Sequence, residues 1–403
     1  MSTKHKQDGP IHVVHLISGL WRGGAETMLV KLLGSLDSKR FRSSVIQLAP
    51  GGELRDSVRR TGAELYHLGM TRSAPGPRAL LDLYRLTRKL NPDVLHGWMY
   101  HGNLAACWAQ LALKPRAPML WGIRQTLYDI RNEKRLTAAV IKFCALLSKR
   151  ADCVSYNSHT SLAQHSALGY HAANAAVLNN GFDLQHFKRV PAEGLALRTQ
   201  LGIDQAAPVV AHVSRWHPMK DHLTLLRAAK QLALRIPNIV FILAGRELDA
   251  SNRELSRMVQ HYDLGKRVFL LGDRSDIRPV YNACNLFVLN SAWGEGFPNV
   301  IGEALACEIP VVATDIGDCR EVVDRFGRIV PPSQPDKLAN AIHEFLRLEP
   351  QTLTELGAQA RRSIQQRFAL PSIARGYEEV YYQLLRIQSA SSSKTPKYLS
   401  TAS

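Results

Sequence analysis

The sequence predicts an α/β protein in which two doubly wound domains face one another across a cleft. Short apolar segments alternate with helical patterns twice along the 403 residues, and a polar, turn-rich stretch separates the two series. Alternation of this kind is typical of parallel sheets that are covered by helices on both faces. Glycines and charged residues also follow several predicted strands, at the sheet edge where such domains bind ligands.

The first domain is predicted over residues 1–185. It opens with an apolar strand at 11–17, a glycine-rich turn at 18–24 and a helix whose apolar residues recur at helical spacing. Helical patterns at 78–90 and 136–150 separate some of the later segments. The further predicted strands are 44–48, 64–67, 93–96, 119–122, 153–156 and 176–178.

A linker is predicted at 186–207, because the sequence there is rich in polar and turn-forming residues. The second Rossmann-like domain follows at 208–365, and a helical pattern covers 351–387. We expect residues 366–388 of that pattern to cross back to the first domain, and the serine-rich tail at 389–403 to be disordered. The predicted strands of this domain are 208–213, 239–244, 268–271, 286–289, 310–313 and 327–330.

Composition limits the functional classes. No apolar run approaches the roughly 18 residues that a membrane span needs. The first ten residues are polar and lack the apolar core of a signal peptide. Six scattered cysteines form no Cys-x-x-Cys pair, which favours reduced thiols over disulfides or a zinc site. We therefore expect a cytoplasmic protein without a bound metal.

The positive charge is concentrated in the first half of the chain. Residues 1–190 contain 26 Lys and Arg against 12 Asp and Glu, whereas residues 191–403 contain 25 against 22. Such an excess indicates an anionic partner for the first half. Nucleic acid, an anionic membrane surface and a lipid phosphate are the candidates, and a merely solvated basic surface is the alternative.

Two carboxylates flank a predicted junction between a strand and a helix. Glu295 lies in the loop after the strand at 286–289, and Glu303 lies about one turn into the following helix. Asn299 is placed to cap that helix, and a helix N-terminus at a sheet edge favours phosphate or other anions. The alternative is two solvated surface glutamates.

Two other strand ends carry phosphate-binding residue types. Gly23 and Gly24 stand where the first strand meets the first helix, although their spacing does not match a dinucleotide fingerprint and a plain tight turn is the alternative. Arg215 and Lys220 follow the first strand of the second domain, with surface ion pairing as the alternative. Together with the glutamates, these features predict a nucleotide-diphosphate site between the domains.

In these features the sequence resembles the family 4 glycosyltransferases, retaining enzymes with the two-domain GT-B fold. The resemblance rests on residues 23–26, on Arg215 with Lys220, on 295–303 and on the run 303–323, and it extends over roughly residues 11 to 385. It implies transfer of a sugar from a nucleotide-sugar donor with retained anomeric configuration, usually without a metal and without a separate cofactor.

The resemblance also implies roles for individual residues. Arg215 and Lys220 would neutralise the diphosphate, Glu295 would bind hydroxyls of the donor sugar, and these three are the expected catalytic residues. Glu303 would accept hydrogen bonds from the ribose. The other expected substrate-binding positions are Gly23, Gly24, Gly296, Phe297 and Asn299. In the retaining mechanism proposed for the family, the leaving phosphate takes the acceptor proton, so no protein base is expected.

The sequence departs from the family pattern at two places. Many relatives carry a histidine after the strand at 119–122, where this chain has Arg124 and Gln125. In this segment the sequence resembles a subset of the family that acts in surface-polysaccharide and lipopolysaccharide assembly. The resemblance implies that His101 and Arg124 handle the acceptor or donor sugar. A structural His and a surface Arg are the alternative. Glu308 replaces a small residue or glycine and leaves the following turn in doubt.

The leading hypothesis is a retaining hexosyltransferase of envelope polysaccharide biosynthesis. Its donor would be a UDP-sugar, for example UDP-N-acetylhexosamine, with GDP-mannose next, and its acceptor a lipid-linked glycan or saccharide. Peripheral contact with the cytoplasmic face of an anionic inner membrane is a further candidate partner. The alternatives are a sugar-nucleotide epimerase of the same fold and a non-enzymatic anion-binding protein. Nucleic acid is not expected as a partner, because the aromatic-flanked basic motifs of nucleic-acid folds are missing.

Overall fold

The computed structural model describes residues 9–70 and 76–392. Within these residues two parallel sheets, one of seven strands and one of six, are each covered by helices. The predicted class, two doubly wound α/β domains, is confirmed.

The first sheet has the strand order β3-β2-β1-β4-β5-β6-β7, with every neighbouring pair parallel. Its strands are β1 Ile11–Ile17, β2 Phe41–Gln47, β3 Glu64–His67, β4 Val94–Trp98, β5 Met119–Ile123, β6 Cys153–Tyr156 and β7 Ala175–Val177. The helices of this half are α1 Gly24–Leu33, α2 Arg55–Arg60, α3 Pro77–Leu90, α4 Met99–Gln110, α5 Arg135–Leu147 and α6 His159–Ala167.

The second sheet has the order β10-β9-β8-β11-β12-β13. Its strands are β8 Val209–Val213, β9 Val240–Ala244, β10 Val268–Leu270, β11 Leu286–Leu289, β12 Val311–Thr314 and β13 Gly327–Val330. The helices are α7 Pro191–Gln200, α8 His222–Arg235, α9 Arg253–His261, α10 Arg278–Ala283, α11 Asn299–Ala306, α12 Cys319–Val323, α13 Pro335–Leu346, α14 Pro350–Phe368 and α15 Leu370–Ser392.

Strand order reverses between β1 and β4 in the first sheet, and between β8 and β11 in the second. Open α/β sheets bind ligands in the crevice outside the strand ends at such a switch point. The features singled out in the sequence follow these strands: Gly23 follows β1, His101 follows β4, Arg215 follows β8 and Glu295 follows β11. Topology therefore gathers them at the facing edges of the two sheets.

Residues 186–207 differ from the predicted linker. They contain α7, and Leu197 and Ile203 are buried in the core of the second domain. The Arg198 guanidinium donates to the carbonyls of Ala283 and Ala207, at 2.8 and 3.0 Å. The sequence of this segment is polar and resembles a loop, but these hydrogen bonds satisfy the buried Arg198 cation. The segment is therefore part of the second domain.

The predicted helix over 351–387 is divided into α14 and α15. Ala369 between them is extended, with ψ 133°, and Pro371 has no N–H with which to continue the bonding of α14. At this break the Phe182 N–H donates to the Phe368 carbonyl at 2.9 Å, and the Leu370 N–H donates to the Phe182 carbonyl at 3.0 Å. The two passages of the chain between the domains therefore lie side by side.

Helix α15 packs against the first sheet, although it follows the second domain in the chain. Tyr377 and Tyr381 are fully buried in one core cluster with Val13 and Trp98. The helix continues to Ser392, so residues 389–392 of the predicted tail are helical, and residues 393–403 lie outside the described residues. None of the helices in residues 9–70 and 76–392 combines the length and hydropathy that a bilayer crossing requires.

Candidate functional site

A cavity of about 580 Å³ lies between the carboxyl edges of the two sheets. Six of the predicted site residues line it: Gly24, Arg124, Arg215, Gly296, Phe297 and Asn299. The first domain also contributes Gln125, Thr126, Asn157 and Asn180, and the second contributes His217, Met219 and Trp293. The lining thus combines cations, amides and glycine backbone from both domains with two carboxylates of the first domain, Asp129 and Glu133.

Arg215 stands at the cavity with its side chain exposed. It leaves the end of β8, and its guanidinium contacts the Met219 sulfur at 4.0 Å. In the part of the chain that the structure describes, no carboxylate pairs with it. A guanidinium that is free of carboxylates can form two parallel hydrogen bonds to a phosphate.

Arg124 is the second cation of the cavity, and it is largely buried. Its guanidinium donates to Tyr377 Oη at 2.6 Å and to Asn180 Oδ1, and it stands 5.8 Å from the centre of the Trp98 ring. Burial lowers the pKa of Arg124, which the neighbouring Tyr377 hydroxyl partly opposes. Among the described residues no carboxylate balances this cation, so its surroundings favour an anionic group in the cavity.

Lys220 and Glu295 form an ion pair between Nζ and Oε1, with side chains only 14% and 11% exposed. The Ser291 hydroxyl donates to the same Glu295 oxygen. Neither charged residue is in the cavity lining, but Met219 and Gly296 beside them are. The two residues predicted to act separately on phosphate and sugar are therefore coupled to each other at the cavity border.

Glu303 lies on α11 and accepts a hydrogen bond from Tyr281 Oη at 2.9 Å. Burial raises the pKa of Glu303, and the positive charge of Lys31 on α1 offsets part of that rise. Lys31 belongs to the first domain, and its ammonium group donates to the Gly181 carbonyl at 3.4 Å. Glu303 is outside the cavity lining and close to the place where the chain first crosses between domains.

The glycine pair begins α1. Gly23 is extended and precedes the helix, and a Cβ atom there would collide with the Glu26 carboxylate. A Cβ on Gly24 would meet no atom within 4 Å, because Gly24 faces the cavity. The N-terminus of α1 thus meets the cavity at Gly24, and the Glu26 carboxylate lies beside Gly23 at the same helix end.

Asn299 does not cap α11, so that prediction is wrong. The helix begins at Asn299 itself after Pro298, and no side chain caps it. Instead Asn299 Oδ1 accepts a hydrogen bond at 2.7 Å from Asn180 Nδ2 of the first domain. The Asn299 side chain therefore takes part in the contact between the domains. The local sequence around Asn299 gives no sign of this contact.

His101 lies in the first turn of α4, where its side chain is exposed. It is at the carboxyl edge of the first sheet but not in the cavity lining, whereas Arg124 on the next strand end is. Its role in handling a sugar stays a prediction. Within residues 9–70 and 76–392, no group of three or more His, Cys, Asp or Glu side chains is arranged to hold a metal ion.

Sequence reasoning missed Asp318, a buried residue of the second domain that caps a helix of the first. Its carboxylate accepts from the His159 and Thr160 N–H groups at 2.8 and 3.1 Å, and from the Thr160 hydroxyl at 2.7 Å. The position of Asp318 after a glycine is a weak turn signal, and only the tertiary structure shows its partner helix α6. Tyr377, which orients Arg124 from α15, had no local signal at all.

Comparison with known proteins gives the family. Residues 22–186 match the family described as Glycosyltransferase Family 4, and residues 195–363 match that described as Glycosyl transferases group 1. The chain belongs to the family 4 glycosyltransferases. The two matched regions coincide with the two domains that contribute the cavity lining.

Among the relatives of this glycosyltransferase is UDP-Gal:alpha-D-GlcNAc-diphosphoundecaprenol alpha-1,3-galactosyltransferase of Escherichia coli, 25% identical over 66% of this chain and 69% of that protein. The lipopolysaccharide core biosynthesis mannosyltransferase LpsB of Rhizobium meliloti is 29% identical over 52% and 61%, respectively. D-inositol 3-phosphate glycosyltransferase of Gordonia bronchialis is 32% identical over 54% and 49%. These matches cover about half to two thirds of the relatives' own length.

Solved structures match almost the whole chain. HepE of Anabaena in complex with UDP has a TM-score of 0.79 and 25% identity, over 93% of this chain and 100% of that one. Sucrose-phosphate synthase of Thermosynechococcus elongatus has a TM-score of 0.77 and 21% identity, over 94% and 100%. The second likeness shows the fold alone. Both agree with two Rossmann-like domains in the GT-B arrangement.

Proposed function

We propose that this protein is a retaining glycosyltransferase of envelope polysaccharide biosynthesis that moves a sugar from a UDP-sugar to a lipid-linked or saccharide acceptor without a metal. The observation that supports this most directly is the cavity between the sheet edges. Two arginines without carboxylate partners among the described residues line it, one from each domain. Cations placed in this way suit the diphosphate of a sugar nucleotide.

Arg215 binds the diphosphate from the second domain, and the N-terminus of α1 at Gly24 meets it from the first. Glu303 accepts hydrogen bonds from the ribose hydroxyls. The backbone around Gly296 and Phe297 approaches the donor sugar, whose hydroxyls bind Glu295. In this arrangement the Lys220 ammonium serves both Glu295 and the diphosphate, so that sugar and leaving group are held by one coupled pair.

The reaction breaks the bond between the anomeric carbon and the diphosphate oxygen. A bond to the acceptor oxygen forms on the same face of the sugar, and the acceptor proton passes to the leaving phosphate oxygen. Negative charge grows on the diphosphate as it departs. Arg215 and Lys220 stabilise that charge, which is the contribution that such a departure needs most. No side chain is assigned as general base.

A UDP-sugar is the preferred donor, because the E. coli relative is named for UDP-Gal and the Anabaena structure contains UDP. A lipid-linked acceptor is preferred because the same E. coli relative is named for a diphosphoundecaprenol substrate. The lipopolysaccharide role in the name of LpsB supports an envelope glycan as the product. GDP-mannose is the next donor to test.

The test is a turnover screen with UDP-sugars and GDP-mannose, each with and without a lipid diphosphate saccharide acceptor. We expect nucleoside diphosphate release that depends on the acceptor, an α-linked product in NMR spectra from an α-linked donor, and full activity in EDTA. An inverted linkage or loss of activity in EDTA would contradict the retaining, metal-independent assignment. Conversion of the donor to an epimer without acceptor would replace the transferase by an epimerase.

A further inference from the structure

Helix α5 is apolar on two opposite faces. Its inner face buries Ile141, Cys144 and Ala145 against the first sheet's core. Its outer face exposes Leu136, Phe143 and Leu146, whose accessible fractions are 66%, 52% and 76%. The inner residues lie three and four positions after Ile141, and the outer residues are spaced by seven and three, so each set forms a stripe along the helix. An outward stripe of large apolar side chains is unusual for a helix that faces only water.

Positive charge surrounds this stripe. Residues 134–150 contain Lys134, Arg135, Lys142, Lys149 and Arg150 and no acidic residue. All five side chains are exposed. The combination of apolar side chains on one face with flanking Lys and Arg is typical of helices that lie in the interface of an anionic bilayer.

The stripe begins close to the cavity along the chain. Tyr128, Asp129 and Glu133 line the cavity, and α5 begins at Arg135, two residues after Glu133. Tyr128 is itself 57% exposed. The segment from 128 to 135 therefore connects the cavity border to the N-terminal end of α5, which carries Leu136.

We propose that the outer face of α5, defined as Leu136, Phe143 and Leu146 with the five basic residues of 134–150, docks this protein on an anionic lipid bilayer. The apolar side chains enter the headgroup boundary while the Lys and Arg side chains contact lipid phosphates. This deepens the proposed function, because it places the cavity beside the membrane from which a lipid-linked acceptor is presented. The five basic residues also supply part of the positive excess of the first half of the chain.

Both the charges and the apolar side chains of this face should strengthen binding to the bilayer. Each Lys or Arg near an anionic surface strengthens binding by about fivefold. Burial of a leucine or phenylalanine side chain strengthens it by about tenfold or more. Both contributions are needed, since the attraction between the charges is screened by salt while the apolar part is not.

The experiment is vesicle flotation of the full chain without nucleotide or acceptor. Vesicles of phosphatidylglycerol and phosphatidylcholine in equal parts are compared with vesicles of phosphatidylcholine alone. We expect flotation with the anionic vesicles only, a loss of about tenfold or more in Leu146→Glu, and a loss of about 25-fold in the double variant Lys142→Gln with Lys149→Gln. The matched controls are Leu234→Glu on α8, where Leu234 is 77% exposed, and Lys266→Gln, both of which should float like the wild type.

Several results would overturn the proposal. They are failure of the wild-type protein to float with anionic vesicles, equal flotation with both lipid compositions, and flotation of Leu146→Glu at the wild-type level. A dimer in sedimentation velocity that Leu146→Glu dissociates, without vesicle binding, would make the face a contact between copies of this chain. Circular dichroism and UDP binding of each variant show whether it is folded, and UDP binding without flotation would reject the membrane surface while leaving the transferase proposal intact.

Discussion

Lys220 and Glu295 are held together more closely than two surface charges would be. Their side chains are 14% and 11% exposed, and Ser291 adds a third group at the same carboxylate oxygen. An ion pair that is largely buried keeps its geometry better than an exposed pair, because separating it would leave each charge buried without a partner. We infer that this coupling fixes the Lys220 ammonium in position for a departing diphosphate.

Lys220→Ala should lower kcat by about 100- to 1000-fold, because it removes a cation that stabilises charge only as the leaving group departs. Steady-state kinetics measured well below the melting temperature of the variant test this. Lys230→Ala is the control, since Lys230 belongs to an exposed pair with Asp263 on the same domain. Turnover close to that of the wild type would show that Lys220 does not stabilise the leaving group.

Glu303 should make nucleotide binding depend on pH. Burial raises its pKa, while Lys31, Tyr281 and His186 act in the opposite direction. Only the carboxylate can accept from both ribose hydroxyls, so UDP affinity should fall as the pH is lowered through the pKa of Glu303. Calorimetric titrations at several pH values measure this dependence.

The Glu303→Gln variant provides the comparison, because UDP itself has a phosphate that titrates near pH 6. It should bind more weakly at neutral pH and lose the part of the pH dependence that Glu303 contributes. A charge-assisted hydrogen bond is worth about 1.5–3 kcal/mol, which corresponds to roughly tenfold to a hundredfold in affinity. Identical pH profiles for the two proteins would contradict the ribose assignment.

At the scale of elements, the end of α11 shows how the chain accommodates Glu308, the residue that left the turn in doubt. The Ile309 N–H donates to the Ala304 carbonyl and the Glu308 N–H to that of Leu305, both at 3.0 Å. These two bonds form a Schellman motif, which requires a left-handed residue at its centre. Glu308 occupies that position with φ 64°, where glycine is favoured.

Glu308→Gly should therefore stabilise the protein by about 1 kcal/mol, since it relieves the left-handed strain of a residue with a Cβ atom. Thermal and urea unfolding measure the change. The matched control is Glu355→Gly, which places glycine inside α14 and should destabilise by about 1 kcal/mol. Equal destabilisation by both substitutions would show that Glu308 makes contacts that outweigh the strain.

The strands could be predicted from the sequence because parallel strands covered on both faces are almost continuously apolar. Their existence and order along the chain were confirmed, with boundaries within about three residues, as for β2 and β4. The elements that differ from the predictions depend on tertiary contacts. Helix α7 is held by bonds of Arg198 to distant carbonyls, and the break at Ala369 coincides with a bridge to Phe182.

The same distinction applies to the candidate site. Residue types at strand ends predicted where Arg215, Gly24 and Gly296 would converge, because topology alone brings those edges together. The Asn180–Asn299 hydrogen bond and the contact of Tyr377 with Arg124 join residues 119 and 253 positions apart, respectively. No local pattern encodes such pairs.

At the scale of the whole molecule, the two domains are held in contact around the cavity by a small number of polar bonds. Thr126 Oγ1 donates to the Gly294 carbonyl at 3.2 Å, and Asn180 bonds to Asn299. The largest of these contacts is Asp318, whose carboxylate caps the N-terminus of α6 across the interface. An arrangement with few polar bonds allows the domains to separate for donor entry and to close for reaction.

Asp318→Asn should shift the free protein toward a more open arrangement, because an uncharged amide loses the attraction between a carboxylate and a helix N-terminus. That attraction is worth roughly 0.3–1 kcal/mol, so the ratio of closed to open molecules should fall about two- to fivefold. Small-angle scattering should then show a larger radius of gyration without nucleotide. Asp315→Asn, which breaks only an exposed pair with Arg320, is the control; an unchanged scattering curve for Asp318→Asn would show that this cap does not hold the domains together.

We propose above that the cavity between the domains is a nucleotide-diphosphate site in which Arg215 binds the phosphates. Calorimetric titration of the wild-type protein with UDP, GDP and ADP tests this, with Arg215→Ala and the exposed α9 substitution Arg257→Ala measured beside it. We predict binding of UDP in preference to the other two, weakened about tenfold to a hundredfold by Arg215→Ala and unchanged by Arg257→Ala. Absence of binding by every nucleotide, or equal affinity of the wild type and Arg215→Ala, would contradict the claim.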